Sequence, residues 1–219
     1  MSTKKILLKG PILSRSGYGE QTRFAFRALA EHLDKIDLYL DVITWGKTGW
    51  IWKNDDERRF IDSLIIRTQE FMQNGGQFDA SIQVTIPNEW QNLAPINIGY
   101  TAGIETNAVS AEWLQKSSHM DRIIVVSEHA KTGFEDAKYE VYDQQTKAMQ
   151  GIMTCVVPVD AVPYPVRKVE PEKLDLELET DFNFLVVAQW SPRKNLTNTI
   201  EWFVEKFIDN ENVGLVVKM

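Results

Sequence analysis

Two adjacent cations in a polar turn, Arg193 and Lys194, are well placed in this sequence to hold an anion. They follow the apolar run 184–188 and precede Leu196, Ile200, Phe203 and Phe207, which recur at helical spacing. A lysine beside a helix start adds a mobile point charge to backbone amides already aimed at an anion, although a simply solvated turn lysine has the same local sequence. A second anion-directed stretch lies near the N-terminus, where Ser16, Gly17, Tyr18 and Gly19 follow a short apolar run. Its two glycines serve either the turn alone or an amide cradle for a phosphate. Glu105 is the carboxylate with catalytic potential, because it sits in the polar segment 102–107, just past an apolar run ending at Thr101.

The elements that must position these residues alternate between strand and helix. Strands are expected at 4–12, 35–45, 78–86, 96–101, 121–127, 154–159, 182–190 and 213–219, and helices from Glu20 to Leu33, over 55–73, 110–118 and 128–134, and after Pro192. Ser191 reads as the cap of that last helix, with Pro192 in its first turn. The run Ile123, Ile124, Val125 and Val126 suits a strand covered on both faces. In an open parallel sheet ligands bind beyond the carboxyl ends of strands, which brings Thr101, Thr106, Ser127 and Glu128 into consideration as cleft-lining residues. Ser127 also reads as a plain helix cap. Trp50 and Trp52, in a glycine-bearing loop, either stack on a sugar or close the end of the core.

The prolines of 160–171 and the charged run after them mark a domain boundary. The organisation expected is a Rossmann-like domain over 1–165, a linker over 166–181 and the first strand–helix–strand of a second, truncated Rossmann-like unit over 182–219. Bulk composition bounds the functional classes. The 219 residues carry 24 Lys plus Arg against 31 Asp plus Glu, so clustered basic binding of nucleic acid is not expected. The one cysteine, Cys155, lies in an apolar run and reads as a buried, inert thiol, which excludes a disulfide framework. The N-terminal apolar run is three residues long and no membrane span is seen, so the expected location is cytoplasmic.

Taken in order, these stretches resemble nucleotide-sugar-dependent glycosyltransferases of the two-Rossmann-domain, GT-B type, in particular the retaining group called family 4. The resemblance rests on residues 16–19, on 99–106 followed by Trp113, on 121–131, on the crossing segment 159–166, and on 184–203 with Pro192, Arg193, Lys194 and Asn195. It implies a UDP- or GDP-sugar donor bound mainly by the second domain, an acceptor bound mainly by the first, and no metal or other cofactor held by the protein. It assigns Lys194 to the donor diphosphate and Gly17, Tyr18 and Gly19 to the loop that closes on it. Ala188 and Gln189 stand where the family has glycine and arginine, so Arg193 is expected to substitute for the missing cation.

The family's paired glutamates would follow Met219, so little or no activity is expected of this chain by itself. Two other readings stand beside transfer. One is a non-catalytic module that binds carbohydrate or a nucleotide phosphate through Trp50, Trp52 and Glu105. The other is a homo-oligomer that completes its short second sheet by pairing between chains.

Overall fold

Alternating apolar runs and amphipathic stretches build an α/β protein whose centre is a parallel sheet covered by helices. The computed structural model describes residues 3–174 and 176–219; residues 1, 2 and 175, which fall in the expected first domain and linker, lie outside the described residues. The chain divides into two units, Met1–Val166 and Arg167–Met219.

In the first unit the order is β1 (Lys4–Gly10), α1 (Gly17–Ala30), β2 (Ile36–Val42), α2 (Asp56–Gln73), β3 (Ala80–Val84), a 3-10 turn (Pro87–Glu89), β4 (Ile96–Thr101), α3 (Ala111–Ser117), β5 (Arg122–Val125), α4 (Glu128–Glu135), β6 (Lys138–Tyr142), β7 (Met149–Thr154) and β8 (Val159–Ala161). Six strands form one Rossmann-like parallel sheet in the order β2-β1-β3-β4-β5-β8. Because β1 lies between β2 and β3, the chain leaves it to one side and returns on the other. The resulting crevice beyond the carboxyl ends of β1 and β3 is the place where such sheets bind ligands.

Strand alternation sorts the core onto the two faces of the sheet. Leu8, Leu38, Leu40, Val84 and Tyr100 join Phe26 of α1 and Ile61 and Leu64 of α2 in one buried cluster. Leu7 and Tyr39 point the other way and pack with Phe78. Ile123 and Val125 meet Trp90, Leu114, Ala130 and Phe134 in a third cluster. α2 lies along the outer edge of β2, where the Leu40 amide donates to Thr68 Oγ1 at 2.7 Å. That contact satisfies an edge amide that would otherwise be open to another strand.

A buried polar network holds the 91–97 segment against the sheet. Asn97 Oδ1 accepts from Ser81 Oγ at 2.7 Å and from the amides of Leu93 and Ala94, while Gln83 exchanges hydrogen bonds with the Gln91 backbone.

The antiparallel hairpin β6–β7 is a feature that the sequence reading leaves out, and it displaces the expected strand over 154–159. Pro158 has no N–H to give a ladder, so the sheet strand begins beyond it, with only the Pro158 carbonyl engaged by the Ile123 amide. Cys155 is half-buried, its thiol 3.5 Å from the Val157 carbonyl, where the sequence suggested full burial.

Carboxylates at turns give the first unit an acid-sensitive component. Hydrogen bonding from the Lys5 amide, helped by Lys4, holds Asp79 below the usual carboxylate range, and the Arg58 amide does the same for Asp55 at the start of α2. A folded-state pKa below the unfolded one gives stability that is fully present above the unfolded value and lost as pH falls through the folded one. Stability therefore declines below about pH 4. In urea melts at pH 7 and pH 3, Asp79→Asn is expected to show a smaller acid loss than the parent protein; an equal loss would remove Asp79 from the account.

The second unit contains β9 (Phe182–Val187), a 3-10 turn (Pro192–Lys194), α5 (Leu196–Phe207) and β10 (Val213–Lys218), with β9 and β10 paired in parallel. Phe184 packs its ring against Phe203 and Phe207 of α5 at 6.1 and 5.6 Å.

Candidate functional site

The site in the first unit starts from one buried arginine. Arg23 Nη1 donates to the carbonyls of Ile12 and Ser14 at 2.5 and 3.0 Å, and its Nε donates to Glu20 at 2.8 Å. It thereby folds the loop after β1 back onto the start of α1. Ser16 caps that helix by accepting from the Gly19 amide at 3.0 Å, so α1 begins at Gly17 and not near Glu20 as the periodicity suggests. The amides of Gly17 and Tyr18 have no partner within the helix and remain the open ones.

Gly17 and Gly19 separate in role. A Cβ on Gly17 would meet nothing within 4 Å, whereas one on Gly19 would lie 2.1 Å from the Ser14 carbonyl oxygen. Gly19 is therefore a packing glycine whose amide is already engaged, and at the start of α1 the Gly17 and Tyr18 amides are the ones left open.

A second loop supports the first. The Arg15 amide donates to Gly49 O and the Ile51 amide to Leu13 O, both at 2.8 Å, and Ser14 Oγ lies 2.6 Å from Thr48 Oγ1. Trp50 stands opposite Ser14 in this short antiparallel contact and is 39% exposed, while Trp52 is 79% exposed. Neither tryptophan closes the core.

Tyr18 reaches from α1 to the end of β4, its hydroxyl 2.8 Å from Thr101 Oγ1 and accepting from the Ala102 amide at 3.3 Å. Its ring packs on Trp45 with centroids 4.5 Å apart. Burial pushes the Tyr18 hydroxyl pKa up; the hydrogen bonds to Thr101 and Ala102 oppose that rise, and the charges of Glu89 and Glu105 add to it. Glu105 thus lies within electrostatic reach of Tyr18 while being exposed itself.

Beyond Thr101 the chain passes over the start of α4, with Gly103 at φ +82° and a built Cβ there only 2.5 Å from Ala130 Cβ. Thr106 is exposed and donates to its own loop at Ala108 O, Ser127 caps α4 by accepting from the Ala130 amide at 3.1 Å, and Glu128 is exposed in its first turn.

One turn into α1, Gln21 is fully buried. Its Oε1 accepts from Tyr164 at 3.2 Å, and its amide N–H group faces the Tyr100 hydroxyl, whose pKa burial raises and this contact lowers. Burial drives the Tyr164 hydroxyl up to about 12, with Tyr100 and Tyr18 adding to the rise.

In the second unit Arg193 and Lys194 are exposed in the 3-10 turn, and Asn195 follows at φ +52°, in the left-handed region that asparagine tolerates. Ser191 makes no side-chain cap, because this turn and Asn195 separate it from α5. The first amides of α5 consequently have no side-chain acceptor, unlike those of α1, α2, α3 and α4, which Ser16, Asp55, Ser110 and Ser127 cap.

Fold and local geometry together define an α/β protein with a Rossmann-like parallel sheet, with the open amides of Gly17 and Tyr18 and the Tyr18–Thr101 hydroxyl pair beyond the carboxyl ends of β1 and β4. Compared with models of known protein families, with curated proteins and with solved structures, the chain matches none. Among the described residues no helix is long and apolar enough to cross a membrane, and no three or more His, Cys, Asp or Glu side chains converge as a metal site.

Sequence reasoning missed Gln21, Arg23, Trp45, Thr48 and Tyr164. The signal for Gln21 was present, since a polar residue four before Ala25 continues the stripe that α1 buries.

Proposed function

We propose that the chain binds a nucleotide-sugar through its diphosphate and serves glycosyl transfer, with a UDP- or GDP-sugar as donor. The observation that carries this reading is the start of α5. It is uncapped, it follows the carboxyl end of a parallel strand, and Arg193 and Lys194 immediately precede it. Open amides and adjacent cations are what a leaving diphosphate requires, since they stabilise the charge that develops as the glycosidic bond to it breaks. Within the first unit, taken by itself, the open amides of Gly17 and Tyr18 are a further place where a phosphate can be held. That unit also offers an acceptor crevice lined by Thr101, with Glu105 as the carboxylate available to an acceptor hydroxyl.

Calorimetric titration of the 219-residue protein with UDP, GDP and inorganic pyrophosphate tests this proposal. Binding is expected, and Lys194→Ala should weaken it about tenfold, or ~1.4 kcal/mol, as for loss of one charge-assisted contact. Equal affinity in the variant would release Lys194 from the role; no heat with any of the three would end the reading.

The exposure of Trp50 and Trp52 on the loop bonded to the α1 entry favours a second reading, a non-catalytic carbohydrate-binding module. Heat with oligosaccharides and none with nucleotides would select it. Exposed Leu185 and Val187 on β9 favour self-association through the two-stranded sheet, which light scattering at high concentration reads directly.

A further inference from the structure

The segment that leaves β8 is exposed along most of its length, with Val162, Pro163, Pro165 and Val166 all open to solvent. The Val162 amide still donates to Val125 O at 2.7 Å, and beyond it Tyr164 ties the segment back. Tyr164 is 42% exposed, yet its hydroxyl donates to the fully buried Gln21, 143 positions earlier in the chain. The other end of the same amide faces the Tyr100 hydroxyl on β4. The closed arrangement therefore holds the exposed residues 163–166 by one long-range side-chain hydrogen bond. Such a contact suits a cover that opens, because the net worth of one hydrogen bond is small against global unfolding.

We infer that residues 162–166 form a releasable strap, latched by the Tyr164–Gln21 hydrogen bond, whose opening and closing is coupled to the first turns of α1. The coupling is local and physical. Gln21 lies one turn from Gly17 on the same side of the helix, and side chains in helices lean toward the preceding turn. The same part of α1 holds Tyr18, whose hydroxyl reaches Thr101. Lifting Tyr164 exposes the Gln21 amide next to the open Gly17 and Tyr18 amides, and a group that orders those amides biases the strap in return. The strap stands on the Tyr164–Gln21 hydrogen bond and the exposure of the segment around it, independently of what the crevice binds.

Hydrogen exchange of the full chain, read by mass spectrometry, tests it with Tyr164→Phe, which keeps the ring and removes the latch. Exchange in peptides covering 160–166 and 16–22 is expected to rise together, about fivefold or more, with the urea midpoint little changed. Gln21→Met removes the latch from the other end, and the double variant should exchange no faster than the faster single variant. A rise confined to 160–166, no rise at all, or additive effects in the double variant would overturn the strap. Inorganic pyrophosphate serves as a separate arm. If it binds, slowed exchange at 16–22 should be accompanied by altered exchange at 160–166 in the parent protein and not in Tyr164→Phe; a change in 160–166 that persists in Tyr164→Phe would overturn the coupling. If it does not bind, the proposed function fails while the variants still decide the strap.

Discussion

Gly19→Ala is expected to destabilise the protein by about 3 kcal/mol or more, the upper end of what overpacking costs. The added methyl would lie 2.1 Å from the Ser14 carbonyl oxygen and 3.1 Å from that of Pro11. Both are backbone atoms of a loop that Arg23 ties down, so no side-chain rotation can relieve the clash. Gly17→Ala, two residues earlier, meets open space and stands at a helix start. It is expected to change stability by no more than about 0.5 kcal/mol, and alanine's helix propensity favours a gain. Urea unfolding of the two variants side by side is the measurement. Similar midpoints would mean that the loop yields and that α1 is not pinned beneath it.

The second large effect concerns Arg23. Replacing it by methionine keeps much of the volume but leaves the Ile12 and Ser14 carbonyls without their charged donor, in a place where the side chain is 9% exposed. The expected loss is about 3 kcal/mol, from two buried acceptors at about 1–3 kcal/mol each with partial rescue by water. Arg23→Lys should recover only part of it, because one ammonium cannot reproduce a planar fork that serves two carbonyls and a carboxylate. Full recovery in the lysine variant would show that the charge alone matters. The same substitution should speed amide exchange through 11–19, since the loop and the Ser16 cap share this anchor.

Both effects bear on the crevice. The amides of Gly17 and Tyr18 point in a defined direction only while Ser16 caps α1 and Arg23 holds the loop. Arg23 touches no ligand in this account; it positions the backbone that would.

Much of the fold is legible in the order of residues. Ile123 to Val126 read as a strand covered on both faces: Ile123 and Val125 are buried in one cluster, while Ile124 and Val126, on the other face, pack partly buried against another. Gly75 and Gly76 ended α2 as their sequence suggests, with the Gly76 amide donating to Phe71 O and the Gly75 amide to Met72 O. Ser110 and Ser127 capped α3 and α4. Each of these depends on contacts within a few positions, which a linear pattern records. The start of α1, the onset of β8 and the break after Ser191 were misplaced by a few residues. In each case one backbone detail decided the boundary: a cap taken by Gly19, the missing N–H of Pro158, and the left-handed Asn195.

The candidate site divides along the same line. The residue types in the first unit's site, the glycines and the polar strand ends, were set by the sequence, because chemistry that holds an anion needs donors wherever they are brought together. Which of their amides stay open was decided only by tertiary structure. Gly17 and Gly19 are equivalent in the sequence, yet the chain folds Ser14 over one and leaves the other open. Gln21 and Tyr164 are 143 positions apart and meet because the segment leaving β8, the edge strand separated from β1 by three others, runs back to α1. A pattern of nearby residues specifies helices and strands through local hydrogen bonds and periodic burial, whereas the crevice is made of long-range contacts that exist only once the sheet order is set.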